Sequence, residues 1–469
     1  MRVSEKPSIP NRRPGERYAD SAPSEPTGPA QIAFSAIGRT RVQAVFDEPE
    51  LSSDGGALIL REAAEANGII DAMASVIRDD RNQAYVRHTL KELLTQRSVQ
   101  ICHGYEDAND CDTLRHDAAL KVAAGRTPGD APLASQPTMT RLENSVGLRD
   151  LIGLFHVFVE SFLDSYEARP PCMIIDMDPT ANRVYGDQQL ALFNGHYDEY
   201  CLMPFHVYEG LTGRLIATVV RPGKTPSKEE ILAVLKRIVR RIQARFPDTF
   251  LIFRADSHHT KPAVLDWLEA NGVHYVLGMA TNAVLRREVH PILERVAALQ
   301  REEWTPFRRF HSFSYAAGSW SRQRRIVARV EATALGTDAR FIVTDLQDAG
   351  AKVLYDTLYC GRGNAELMIK EHKCFLKSSR TSCTSAEANQ FRLFLHSAAY
   401  VIMHGFRETV LRGTDLATAT FETIRLRLLK VAARVETRRG VVRFHFPASS
   451  PAAPVFLRTA RIAGAIPKT

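Results

Sequence analysis

Two different spacings of apolar residues divide this chain. Between about residues 40 and 167, apolar residues recur at steps of three and four, as along 148–162, and this spacing predicts amphipathic helices. After the Arg169–Pro171 breaker, short apolar runs alternate with turn-forming residues, which predicts strands. The chain should therefore contain a helical first part and a strand-rich second part.

The strand-rich part has a recognisable order of elements. In chain order, the predicted elements are a buried strand at 173–178, a hairpin at 205–208 and 215–220, a helix after Ser227, a strand at 249–253, a helix at 261–271 and a strand at 273–277. Ser227 and Glu230 form a capping box that marks the start of the first helix. This order resembles an RNase H-like core, a mixed five-stranded sheet with flanking helices. Such a core has acids on its first strand and after its fourth, here Asp178 and Asp256.

Composition and charge limit which binding partners and which cellular location are expected. The formal charge of +8 and a pI near 9.1 favour a polyanionic partner. No apolar run reaches the roughly 18 residues that a membrane helix needs, and the N-terminus lacks the apolar stretch of a secretory signal. Seven cysteines without Cys-x-x-Cys spacing indicate reduced thiols and not a disulfide or zinc framework. We therefore expect a cytoplasmic protein without a membrane partner.

A third acid, Glu366, stands out in the stretch from 359 to 373. Gly361 and Gly363 predict that a helix starts near Asn364, because asparagine is favoured at helix N-caps. One face of this helix then carries an acid and two bases, Glu366, Lys370 and Lys373. Such a face can reach both a metal ion and a phosphate backbone.

The spacing within this stretch resembles a known signature. The pattern formed by Tyr359, Arg362, Glu366 and Lys373 resembles the Y-R-E-K signature of insertion-sequence DDE transposases. Further stretches resemble one branch of these proteins, the thirteen-eighty insertion-sequence family: Leu51–Gly56, Gly104–Asp110, Leu133–Thr138, Gln189–Gly195, Arg254–Ser257 and Arg380–Cys383. The resemblance extends from about Gln43 to about Phe446.

This resemblance implies a DNA transposase whose catalytic acids are Asp178, Asp256 and Glu366. The three carboxylates would hold two Mg²⁺ ions, with Mn²⁺ as a substitute, because hard divalent cations prefer oxygen ligands. Asp176, two residues earlier on the same strand face, is the alternative to Asp178. The resemblance also assigns supporting roles beside the scissile phosphate to Tyr359, Arg362 and Lys373.

The implied partner is double-stranded DNA, both the terminal inverted repeats of a transposon and the target. A homodimer is expected because two element ends must be joined, and the expected location is the nucleoid. Trp320 is a candidate for stacking a flipped base, although a tryptophan in a small β domain more often belongs to a core. The other predicted DNA contacts are Arg322, Arg324 and Lys370.

Two departures from the family pattern leave alternatives open. Pro179 stands where the family usually has a small residue, and His258 with His259 stands where a glycine and an aromatic residue are usual. We interpret the two histidines as loop residues, not metal ligands, because adjacent side chains point to different sides. The alternatives are therefore an RNase H-fold nuclease without strand transfer and a catalytically dead, decayed DNA-binding remnant.

Together these patterns predict an α/β protein with an RNase H-like core, a β-rich insertion and an α-helical N-terminal domain. The predicted regions are a disordered N-terminal tail at 1–37, a helical DNA-binding domain at 38–167, the first part of the core at 168–282, the β-rich insertion at 283–350, the second part of the core with the Glu366 helix at 351–409, and a basic C-terminal segment at 410–469.

Overall fold

The computed structural model describes residues 31–462, which form two units that divide after Pro49. The first unit contains an antiparallel hairpin of β1 (Ile32–Ile37) and β2 (Thr40–Ala44). This hairpin corrects the predicted end of the disordered tail, because residues 32–37 form a paired strand. The rest of that prediction, residues 1–30, lies outside the described residues.

The second unit begins with a helical region. The short strand β3 (Leu51–Ser52) is followed by α1 (Ala57–Asn67), α2 (Ile69–Val76), α3 (Leu90–Cys102), α4 (Asp110–Leu114), α5 (Ala118–Ala123), α6 (Gln136–Ser145) and α7 (Leu148–Asp164). In α7 the residues buried at three- and four-residue steps include Leu151, Leu154, Phe158 and Phe162. The spacing read from the sequence therefore corresponds to the buried face of this helix.

The strand-rich region follows. Its elements are β4 (Cys172–Pro179), β5 (Asn182–Arg183), β6 (Leu192–Asn194), β7 (Glu199–Leu202), β8 (Phe205–Glu209), β9 (Leu215–Val219), α8 (Lys228–Arg245), β10 (Phe250–Ala255), α9 (Pro262–Ala270), β11 (His274–Met279), α10 (Ala283–Glu303), β12 (Phe307–Tyr315), β13 (Arg324–Thr333) and β14 (Gly336–Thr344). The capping box of Ser227 and Glu230 at the start of α8 is confirmed. A small sheet, in the order β5-β7-β6, follows β4 along the chain.

Eight of these strands form one large mixed sheet in the order β12-β13-β14-β11-β10-β4-β8-β9. Strands β4, β10 and β11 are parallel to one another, and the remaining pairings are antiparallel. Helices pack on this sheet, so the chain has a mixed α/β fold. The parallel centre, β4 and β10, is buried, as expected for strands that helices cover.

The predicted β-rich insertion is not a separate β domain. Its strand β14 pairs with β11, from Val276 opposite Thr344 to Met279 opposite Phe341, so that β12, β13 and β14 extend the main sheet. Strand β11 would otherwise leave its backbone hydrogen-bonding groups unpaired at an edge, and β14 satisfies them. The region also contains the 21-residue helix α10, which packs on β13.

A continuous helical run from Val353 to Phe375 carries the third acid. It consists of a wide π-helical stretch (Val353–Tyr359), a 3-10 turn (Cys360–Arg362), the regular helix α11 (Gly363–Lys370) and a second π-helical stretch (Glu371–Phe375). The predicted helix start near Asn364 is therefore wrong. A Cβ at Gly361 would lie 2.7 Å from an Arg254 nitrogen, so this glycine permits a close approach and does not end a helix.

The C-terminal segment folds back onto the helical region. It contains α12 (Ala386–Thr409), α13 (Phe421–Ile424), the antiparallel strands β15 (Ala433–Arg438) and β16 (Val441–His445), and α14 (Ala453–Ile462). Strand β15 pairs with β3. Arg425 and Lys430 are not free basic groups, because Arg425 donates to the Cys102 carbonyl and Lys430 to Asp54. Within residues 31–462, no helix combines the length and apolar character needed to cross a membrane.

Candidate active site

Two acids lie on the same face of the central strand β4, and their surroundings differ. Asp176 is 1% exposed and receives two hydrogen bonds of 2.6 Å from Arg254 on β10. Arg254 also donates to the Leu358 carbonyl, at 2.7 Å, in the helical run. Burial raises the pKa of Asp176 to about 6, although Arg254 opposes this shift. Asp176, our alternative to Asp178, is therefore held in a buried ion pair that joins three elements.

The second acid, Asp178, shares an arginine with the third predicted acid. Arg362 donates to Asp178 at 2.7 Å and to Glu366 at 2.9 Å. The Asp178 side chain is 16% exposed, whereas that of Glu366 is 62% exposed. The structure thus brings the acid of β4 and the acid of the helical run to one guanidinium group.

The pKa of Asp178 reflects this crowding of negative charge. Burial, opposed by the charge of Arg362 and reinforced by the nearby carboxylates of Asp256, Glu366 and Asp176, raises the pKa of Asp178 to about 7. In such surroundings a nearby cation stabilises the ionised form of the carboxyl group. The pKa of Arg362 is raised accordingly, because the charges of Asp178 and Glu366 outweigh the effect of burial.

Asp256 lies directly after β10 and is held by two histidines. Its carboxylate accepts from the backbone N–H of His258 at 3.0 Å, from Nδ1 of His258 at 2.9 Å and from Nδ1 of His259 at 2.8 Å. Burial raises the pKa of Asp256, but hydrogen bonding from His259 and the charges of both imidazoles lower it overall to about 2. Both histidines lie in a short 3-10 turn after β10, but the expectation that their side chains point to different sides is wrong, because both rings turn toward one carboxylate.

Tyr359 approaches Asp256 across a glycine. A Cβ at Gly278 on β11 would lie 2.6 Å from the Tyr359 hydroxyl, 2.9 Å from the Ser257 nitrogen and 3.3 Å from the Asp256 carbonyl carbon. Burial raises the pKa of Tyr359, and Asp256 adds to this while Arg362 opposes it. The absence of a side chain at Gly278 therefore lets the helical run approach the end of β10.

The donor atoms at this site suit a hard divalent cation. Asp178, Asp256 and Glu366 offer carboxylate oxygens, and the guanidinium of Arg362 stands in for a cation between two of them. In the described part of the chain, no three acids, histidines or cysteines already surround a single point suited to an ion. In this arrangement Arg362, His258 and His259 engage the carboxylates, whose oxygens are the ligand type that a hard divalent cation binds.

The remaining members of the Y-R-E-K stretch have different surroundings. Lys373 is half-buried and donates to the Thr180 hydroxyl at 3.3 Å and to the Ala181 carbonyl, just beyond β4. Burial lowers its pKa. Lys373 therefore braces the turn after Asp178 and is not a free phosphate-binding group, whereas Lys370 is exposed beside Glu366.

The predicted DNA contacts around Trp320 are mostly structural. Arg324 has a side-chain exposure of 2% and forms ion pairs with Asp266 and Glu269. Trp320 is half-buried, with Arg324 over its ring at 5.2 Å and Tyr315 against its edge. The prediction for Arg324 is therefore wrong, because its charge is neutralised internally. Arg322 is exposed but pairs with Glu269 at 2.8 Å.

Three further residues shape the site, namely Arg254, His259 and Gly278, and sequence reasoning gave none of them a role. Arg254 was visible in the Arg254–Ser257 stretch, but its partner lies 78 residues away. A buried arginine at the end of an apolar strand requires a counter-charge, and this requirement was the one available signal.

Comparison with known proteins agrees with this arrangement. A family model described as "Transposase DDE domain group 1" matches residues 34–465. The chain belongs to this transposase family. Members of the DDE transposase class usually use divalent metal ions, in keeping with the carboxylate donors found here.

One solved structure similar to this transposase-family chain is a cryo-EM structure of the piggyBac transposase synaptic complex with hairpin DNA. The two share 10% sequence identity over 80% of each chain, with a TM-score of 0.42. No curated protein matches the chain in sequence.

Proposed function

We propose that this protein is a DNA transposase that cleaves transposon ends and joins the freed 3′-hydroxyl to target DNA. Its catalytic acids are Asp178, Asp256 and Glu366. The observation that carries the proposal is the sharing of Arg362 by Asp178 and Glu366, acids that come from distant parts of a chain of the DDE transposase family. Phosphodiester cleavage requires such a concentration of negative charge to hold cations against a negatively charged substrate.

The strand order supports an RNase H-like core. Five adjacent strands, in the order β9-β8-β4-β10-β11, have β4, β10 and β11 parallel and β8 antiparallel to its neighbours. In this core the first strand carries Asp178, and Asp256 follows the fourth. Parallel neighbours bring these two positions to the same end of the sheet, where substrate would lie.

Asp178, Asp256 and Glu366 would hold two Mg²⁺ ions, for which Mn²⁺ can substitute. Two such ions activate the attacking oxygen and stabilise the leaving oxygen of an in-line displacement. The chain's own residues prepare this site. Arg254 keeps Asp176 neutralised within the fold, Lys373 braces the turn after Asp178, and Arg362 neutralises the acids until it moves to a phosphate oxygen.

The six matching stretches support membership of the thirteen-eighty insertion-sequence branch. One of them, Leu51–Gly56, ends in a glycine that no other residue can replace without a shift of the backbone. A Cβ at Gly56 would lie 2.3 Å from the Leu428 carbonyl oxygen. Such a protein would act as a homodimer in the nucleoid of the cytoplasm, bind terminal inverted repeats through its helical domain, and join two ends.

The alternative of a catalytically dead DNA-binding remnant has one observation in its favour. Both carboxylate oxygens of Asp256 accept hydrogen bonds from His258 and His259, so a metal must compete with them. Replacing His258 by glycine frees one oxygen while His259 remains. If this variant gains metal-dependent cutting that the natural chain lacks, the element has decayed at this position.

Purified protein with labelled DNA from the borders of the element tests the proposal. Mg²⁺-dependent nicking followed by strand transfer to a second duplex is the expected result. Nicking without transfer would identify a nuclease, and a metal-independent mobility shift without nicking would identify a DNA-binding remnant. Either of these two outcomes overturns the transposase assignment for this chain.

A further inference from the structure

The C-terminal hairpin of β15 and β16 forms a ribbon that β3 extends to a three-stranded sheet at the end away from the turn. The ribbon has two chemically different faces. The inward face is apolar: Ala433 and Val435 are buried, and Val442 and Phe444 pack against the core. Because directly opposed residues of an antiparallel pair share a face, the register assigns a second set to the outward face. This set, the Arg face, consists of Arg434, Glu436, Arg438, Val441, Arg443 and His445.

The Arg face carries more positive charge than its one acid can neutralise. Glu436 contacts Arg434 at 3.8 Å and His445 at 3.0 Å. Arg438, Arg443 and the adjoining turn residue Arg439 are exposed, and none of them has a carboxylate within 4.0 Å among residues 31–462. Three uncompensated guanidinium groups on one ribbon favour a polyanionic partner.

The turn of the ribbon adds a second, independent observation. Arg439 and Gly440 form the two-residue turn, with φ of 51° and 78°. Such a turn favours Asn-Gly or Gly-Gly, because the Cβ of other residues crowds the backbone in the left-handed region. A third arginine is thus held at the tip of the ribbon at an energetic cost, where glycine or asparagine would adopt the backbone conformation more easily.

The ribbon is also anchored, so its arginines have a defined orientation. Strand β15 pairs with β3, with Ala433 opposite Ser52, and the Val435 N–H donates to the Glu50 carbonyl at 2.7 Å. A two-stranded ribbon of this kind fits the major groove of B-DNA, which is about 12 Å wide. Arginines at its tip and along its outward face then reach the flanking phosphates.

We infer that the β15–β16 ribbon is an accessory binding surface for duplex DNA, separate from the acids that cut it. The inference rests on the proposed function only in taking DNA as the substrate. Within the basic C-terminal segment, Arg425 and Lys430 do not contribute to this surface, because both are engaged inside the fold. The ribbon holds duplex through phosphate contacts and is not part of the chemistry.

A triple variant tests the inference: Arg438→Gln, Arg439→Gln and Arg443→Gln in the full chain. Its binding to a random-sequence duplex several helical turns long is measured by fluorescence anisotropy at a series of salt concentrations. Each lost phosphate contact reduces the salt slope by about 0.9, so the slope should fall by about 2 to 3 and affinity by about 10-fold to 100-fold at low salt. The matched control replaces three exposed arginines of α10, Arg286, Arg287 and Arg295, by glutamine.

The outcomes separate cleanly. Unchanged duplex affinity and salt slope in the ribbon variant, or an equal loss in the α10 control, overturns the inference. The inference also fails if the variant loses affinity for single-stranded DNA but keeps its affinity for duplex. Altered self-association with duplex affinity retained would contradict it too, because that result would identify a protein-binding surface. If the natural chain binds duplex but never cuts it, the proposed function fails while the ribbon inference stands.

Discussion

Arg362 donates to Asp178 at 2.7 Å although 184 residues separate the two in the chain. The same guanidinium donates to Glu366 at 2.9 Å. A strand acid and a helix acid are therefore tied through one positive charge, next to a sheet end at which Asp256 also contributes negative charge to Asp178. The candidate site therefore contains at least two carboxylates that are close enough to share one cation.

Replacing Arg362 by glutamine should separate its two roles. Loss of a charged donor to the phosphate should reduce DNA nicking by about 100-fold. The carboxylates of Asp178 and Glu366 would lose their internal counter-charge, so Mn²⁺ should bind more tightly in calorimetric titration. Arg295→Gln, at an exposed arginine of α10, is the control. Unchanged nicking and unchanged Mn²⁺ affinity would show that Arg362 has neither role.

The buried pair of Asp176 and Arg254 should support the fold and not the chemistry directly. Asp176→Leu leaves Arg254 as an uncompensated buried charge, which should lower the free energy of unfolding by about 3 to 5 kcal/mol in a urea titration. Combining it with Arg254→Met should recover much of that loss. The exposed pair of Asp338 and Arg340 provides a control, since Asp338→Asn should cost less than about 1 kcal/mol. If Asp176→Leu and Asp338→Asn lowered the free energy of unfolding equally, this interpretation would be contradicted.

Gly278→Ala should displace Tyr359. The new methyl group would lie 2.6 Å from the Tyr359 hydroxyl and 2.9 Å from the Ser257 nitrogen, so the helical run or the Asp256 turn must shift. A shift of about 1 Å at reacting groups typically lowers rates by about 100-fold, and nicking should fall by a comparable factor. Gly318→Ala, where nothing lies within 4 Å, should leave the rate unchanged. A Gly278→Ala variant with normal nicking would show that this close approach is dispensable.

Acid should destabilise the protein through buried histidines. Burial lowers the pKa of His103 to about 4 and that of His396 to about 3, from an ordinary value of 6.5. Both stay neutral in the folded chain but take up protons when unfolded below pH 6.5, so their stabilisation is complete above that pH. It is lost as the pH falls toward 4, by up to about 1.4 kcal/mol per pH unit for each histidine.

Urea titrations between pH 7 and pH 4 measure this effect. His396→Asn keeps a donor for the Leu376 carbonyl and removes the titrating ring, so the decline of stability with falling pH should become shallower. The exposed His290, replaced in the same way, should leave the slope unchanged. An identical slope for His396→Asn and the natural chain would contradict the prediction.

Much of the secondary structure followed from local patterns, because those patterns report burial directly. The strand runs around Ile175 and Phe253 are apolar since helices cover the sheet, and the Ser227 capping box is a purely local hydrogen-bonded motif. The helical run was harder to delimit. Gly361 looks like a helix breaker in the sequence, yet its role depends on Arg254, more than 100 residues earlier.

Long-range pairing accounts for the other differences. Nothing local to 336–344 indicates that this strand joins β11, because its pairing depends on which edge the completed sheet leaves open. Arg324 was predicted as a DNA contact from its charge beside Trp320, and Lys373 from the Y-R-E-K resemblance. In the fold, Glu269 engages Arg324 and the Ala181 carbonyl engages Lys373. The contact of His259 with Asp256, in contrast, is local, since a short 3-10 turn brings its ring back to a carboxylate three residues earlier.

Asp178, Asp256 and Glu366 should act together in one metal-dependent reaction. Mg²⁺-dependent nicking of element-border DNA should be measured for Asp178→Asn, Asp256→Asn, Glu366→Gln and the triple variant, with duplex binding recorded in parallel. We predict that each single variant loses nicking almost as completely as the triple variant while still binding duplex, because the three acids act as a unit. Nicking that persists at the natural rate in the triple variant would contradict the account.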